Sequence, residues 1–108
     1  MTLNNLNAYG SSFQIKVLSA LLTHKEFLLN IQDILSDEYF DSPSQKWIIN
    51  EILKYFSKYH TVPSMDVLKV ELKKLDNEVL QVSIKEQLRE AYKSSDDDLE
   101  YVEEEFSN

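Results

Sequence analysis

The sequence has no cysteine, a single glycine and two prolines among its 108 residues. Without cysteine there is no disulfide, no thiolate zinc site and no cysteine nucleophile. A phosphate-cradling loop needs glycines so that backbone N–H groups can approach the phosphates, and Gly10 stands alone. The same scarcity leaves little material for tight hairpin turns. No apolar run approaches the ~20 residues of a membrane span. The opening MTLNNLNAYG lacks the basic region and apolar core of a secretion signal. A cytoplasmic protein is the expectation.

What remains is rich in Leu, Ile, Lys, Glu and Gln, with 43% hydrophobic residues. That composition predicts one small all-α domain with a single core. The net charge of −8 is unevenly placed. Residues 1–75 hold eight acids and eight bases, whereas residues 76–108 hold eleven acids and only Lys85, Arg89 and Lys93. Acidic segments repel phosphate, so direct nucleic-acid binding is not expected. The acidic end is either a solvated face or a surface for a basic partner.

Along the chain, capping signals alternate with apolar stripes. Residues 1–10 read as a frayed tail, and residues 11–93 as the globular domain. Ser11-Ser12-Phe13-Gln14 is a Ser-x-x-Gln box that should open the first helix. There Ile15, Val17, Leu18, Leu21 and Leu22 share a face, with Lys16 and Ser19 opposite. Thr23-His24-Lys25-Glu26 repeats the device and should start a second helix with Phe27, Leu28, Ile31, Ile34 and Leu35 inward. Ser36 to Phe40 reads as one turn of helix, with Tyr39 or Phe40 plugging the core.

The best-specified stretch is Asp37 to Leu72. Ser42 can cap a helix over roughly 43–59, Pro43 suits its first position, and Gln45 can reciprocate the cap. Its stripe is Ile48, Ile49, Ile52, Leu53, Phe56 and Tyr59. Pro63 forces Val62 out of helical conformation and Ser64 can cap the next helix, to Leu75, with Met65, Leu68, Leu72 and Leu75 in its stripe. Asp76-Asn77 then breaks the pattern and can cap a helix from Glu78 to Tyr92, with Leu80, Ile84, Leu88 and Ala91 in its stripe. Ser95-Asp96-Asp97-Asp98 signals another helix start, so the expectation is a bundle of about six helices.

No catalytic constellation emerges. His24 and His60 both fall at helix boundaries, where a capping role accounts for them. Asp96, Asp97, Asp98 and Glu100 offer oxygen ligands, but nothing in the sequence converges them, and the helix dipole explains their position. No catalytic, metal or cofactor residue is therefore assigned. Two features suggest partners instead. Trp47 lies off the apolar arc among Glu51, Lys54 and Lys58, which makes it either an interface anchor or a residue packed on a neighbouring loop. Leu99, Val102 and Phe106 form a narrow stripe with no evident cover.

From Phe13 to Leu75 the pattern resembles the N-terminal domain of DnaB-like replicative DNA helicases, most of all those of tailed phages. The shared elements are a first helix ending in Leu21-Leu22, then Asp37-Glu38-Tyr39-Phe40 followed by a helix. That helix ends in Tyr59-His60, and Val62-Pro63-Ser64 opens the next. The resemblance implies a non-catalytic assembly domain that packs against sister domains of a hexamer and meets primase or a loading factor within the primosome. It also implies a separate motor that binds ATP and Mg²⁺ and unwinds DNA. Residues 95–108 would be the start of a helical hairpin, cut before it completes. Without that hairpin the chain is expected to be mainly monomeric at tens of micromolar, which light scattering checks. The alternative is a stand-alone acidic phage protein, an inhibitor or DNA mimic acting on a basic target. A reading frame continuing past Asn108 into a phosphate-binding loop would decide between them.

Overall fold

Local capping chemistry sets most of the helix boundaries, and long-range packing sets what the helices bury. The computed structural model describes residues 10–40 and 42–93. Among these residues the chain forms five α-helices and no strand. They are α1 (Gly10–Thr23), α2 (Lys25–Ile31), α3 (Pro43–Tyr59), α4 (Met65–Lys73) and α5 (Glu78–Lys93). One 3-10 turn (Asp37–Tyr39) precedes α3. The sixth helix expected over 95–108 lies outside the described residues.

Three caps form as the sequence predicts. Ser42 Oγ accepts the Gln45 N–H at 3.1 Å, Ser64 Oγ accepts the Val67 N–H at 3.3 Å, and Asn77 Oδ1 accepts the Leu80 N–H at 3.0 Å. Each satisfies one of the orphan donors of a first turn. Elsewhere the boxes are overruled. Helix α1 already starts at Gly10, so Ser11 lies inside its first turn. Thr23 does not cap α2; its Oγ1 donates to the Ser19 carbonyl at 2.7 Å, which keeps it as the last residue of α1. His24 takes the N-cap position with extended backbone and no side-chain cap bond.

Helix α1 is the hub. It packs against α2, α3 and α5, and its Phe13, Gln14, Val17, Leu18, Ala20, Leu21 and Leu22 are all buried. Ser19, expected on the polar side, is also buried, because neighbours cover α1 on more than one face. Two other expectations fail. Ile34 is half exposed because α2 ends at Ile31 and the following turn rotates it outward. Tyr59, the last residue of α3, lies beyond the packed part of its stripe and is likewise half exposed.

The remaining stripes are inside. Ile48, Ile49, Ile52 and Phe56 of α3, Leu68 and Leu72 of α4, and Ile84, Leu88 and Ala91 of α5 join one core. Phe40 plugs that core from extended backbone after the 3-10 turn. Asn50 Nδ2 ties the turn to α3 by donating to Asp37 Oδ2 at 3.0 Å. Gln45 does not reciprocate its cap. Its buried amide donates to Gln87 Oε1 at 3.1 Å and joins α3 to α5.

Helix α3 stops at His60, which is left-handed at φ 59° and ψ 29° while its N–H donates to the Phe56 carbonyl. Glycine prefers this position because a Cβ is strained there. His60→Gly should therefore stabilise the fold by about 0.5 kcal/mol, after the added entropy of the unfolded chain. A few degrees' rise in thermal midpoint is the expected readout.

Candidate partner-docking groove

Four residues join α4 to α5, and the two helices are clamped at that end. Gln81 Nε2 donates to the Leu75 carbonyl at 2.7 Å and to the Leu72 carbonyl at 3.2 Å. The Leu72 carbonyl already accepts the Leu75 N–H at 3.1 Å, and the Leu75 carbonyl lies just beyond α4, so a side chain of α5 adds to the cap of the neighbouring helix. Beyond the clamp the helices border a groove of about 610 Å³. Met65 and Leu72 of α4 and Leu88 and Tyr92 of α5 supply its apolar surface.

Five cations rim it: Lys69 and Lys73 from α4, and Lys85, Arg89 and Lys93 from α5. Among the described residues no carboxylate lines the groove, and none of the five cations makes an ion pair. All five are exposed, so their alkyl stems can cover apolar chain while their charges stay in water. Partial burial pushes the Tyr92 phenol up from its ordinary value.

The surface anticipated on α3 is arranged differently. Glu51, Lys54 and Lys58 line a second, smaller cleft of about 100 Å³ with residues of α4. Trp47 is not part of that lining; it is half-buried and packs against the core. Lys58 Nζ sits 5.3 Å from the Tyr59 ring centroid, and the Tyr55 and Tyr59 rings lie 4.5 Å apart, tilted by 43°. Leu99, Val102 and Phe106 lie outside the described residues.

Glu51 carries a further consequence. Burial raises its pKa; Lys54 partly opposes this, while Glu71 adds to it. The folded state therefore holds its proton more tightly than the unfolded state, and stability falls as pH rises through the raised pKa. Glu51→Gln should raise the thermal midpoint by at most a few degrees at pH 7. The gain should vanish well below pH 4, as paired melts across pH would show.

The α4–α5 groove was not anticipated. Its signal lies in spacing: Lys69 and Lys73, and Lys85, Arg89 and Lys93, recur every four residues beside an apolar stripe. What the sequence alone does not supply is that the two cationic rows flank one cleft.

Among the described residues no group of three or more His, Asp or Glu could hold a metal ion. None of their helices is long and apolar enough to cross a membrane. The class defined is thus an all-helical globule with an apolar, cation-rimmed groove. No family model, curated protein or solved structure matches the chain.

Proposed function

We propose that this is a non-catalytic docking domain whose α4–α5 groove receives an acidic amphipathic segment of another protein. The observation that carries the reading is the pairing, among the described residues, of an apolar surface with five cations and no carboxylate. An apolar strip supplies affinity by burial, and the cations favour partners with acidic flanks and speed their encounter. The floor argues against a nucleic-acid track, because Met65, Leu72 and Leu88 offer no stacking surface and only Tyr92 is aromatic.

The resemblance in the Leu21-Leu22, Asp37–Phe40 and Val62-Pro63-Ser64 elements supplies the setting. On that basis the domain serves a DnaB-like replicative helicase, helping to assemble its hexamer and meeting primase or a loading factor. ATP and Mg²⁺ would belong to the motor of that helicase and not to these residues.

The test titrates the immobilised chain, and its Lys85→Glu/Arg89→Glu variant, with the primase of the same replication system. Wild type should bind, and the double reversal should weaken binding at least about tenfold, or 1.4 kcal/mol. Equal binding by both, or binding by neither, removes the reading. A short single-stranded DNA that binds wild type and not the variant would make the groove a phosphate track instead.

A further inference from the structure

Both walls of the groove are helices, and a helix interior offers a partner no open backbone. Away from their ends, the N–H and C=O groups of α4 and α5 bond within each helix. The Leu72 and Leu75 carbonyls, where α4 ends, already receive Gln81. An extended chain laid on this surface therefore finds no strand edge to pair with. A proline-rich chain needs aromatic slots, and among the described residues Tyr92 is the only aromatic of the lining.

The charges make the same selection. Lys69 and Lys73 stand on the α4 wall, and Lys85, Arg89 and Lys93 on the α5 wall. A ligand that answers both rows carries carboxylates on each side of one apolar strip. Side chains of an extended chain alternate between two opposite faces, so apolar residues turned inward leave the acids pointing away from both walls. On a helix the residues that flank an apolar stripe project sideways, toward both rows at once. Lengths agree as well. Lys85 to Lys93 rises about 12 Å along α5, and Met65 to Leu72 about 10 Å along α4. Two turns of a partner helix rise about 11 Å.

We infer that the groove takes its partner as an α-helix, with apolar residues at i, i+3 or i+4, and i+7 and carboxylates on both flanks of that stripe. This rests on the groove being a receptor for acidic amphipathic chain, and it adds the conformation and charge pattern the partner must have. A partner segment that cannot become helical is rejected, whatever its net charge.

Three dye-labelled peptides of one composition, titrated with the whole chain and read by fluorescence anisotropy, test this. The first carries leucines at i, i+4 and i+7 and glutamates on both flanks, and an i, i+4 side-chain link on its outer face holds it helical. The second has the same residues unlinked, with two adjacent outer-face residues as D-enantiomers. The third stays linked but gathers the same glutamates on one flank. The first should bind at least about tenfold more tightly than either of the others. It should also shift the amide signals of residues 69–73 and 85–89. All comparisons use the unaltered chain, so the folding of a variant does not enter. Equal affinity for the first and second peptides would overturn the helical partner, and equal affinity for the first and third would overturn the two-flank pattern. In either case, shifts still centred on residues 69–73 and 85–89 would leave the proposed function standing. No binding of any peptide up to about 1 mM, or shifts elsewhere, would also sink the inference, and the primase titration then decides the proposed function separately.

Discussion

Leu18→Ala should lower the stability of the domain by about 3 kcal/mol. Leu18 is fully buried in α1, the helix against which α2, α3 and α5 all pack. Shortening it removes transfer energy and leaves a cavity that three separate helices would have to shift to fill. A domain of this size loses about 4–8 °C of thermal midpoint per kcal/mol, so the fall should exceed ten degrees. In urea the midpoint should drop with an unchanged slope, as for a change in the native state alone. Ile34→Ala is the informative companion. The sequence pattern places Ile34 inward, but its side chain is half exposed, and its replacement should change stability by under about 0.5 kcal/mol. Equal losses for the two variants would contradict the packing.

Phe40→Ala should cost about 3–5 kcal/mol, by the same urea and thermal measurements. Phe40 is almost completely buried, yet its backbone is extended and lies outside every helix. Its N–H donates a single 3-10 bond to the Asp37 carbonyl at 3.1 Å, and burial of the ring fixes the chain between α2 and α3. Its removal should therefore also loosen the 3-10 turn, and the Asp37–Asn50 hydrogen bond should weaken with it. Faster amide exchange at Tyr39 and Phe40 would report that loosening, since both N–H groups donate to carbonyls of the turn. Glu38→Ala, an exposed change in the same turn, should leave stability and exchange close to wild type.

The elements read correctly from sequence share a physical basis. The Ser42, Ser64 and Asn77 caps join residues three apart, and the stripes of α3, α4 and α5 repeat within two turns. The errors also share one. Gln45 was assigned to its own cap but bonds to Gln87, forty-two residues away. Thr23 had two partners of similar cost, a forward cap or the carbonyl behind it, and the continuing turn of α1 took it. Ser19 is buried because other helices close over α1, which no pattern within α1 reveals.

By itself the sequence determined that this chain is helical, where most of its helices start and stop, and that no glycine-rich phosphate loop or cysteine chemistry is available. Those properties depend on composition and on interactions within a few residues. Only the tertiary structure decided that α1 is the hub and that α4 and α5 set their cations around one apolar groove. Both depend on which helix faces meet, and that is fixed by the simultaneous burial of side chains from all five helices.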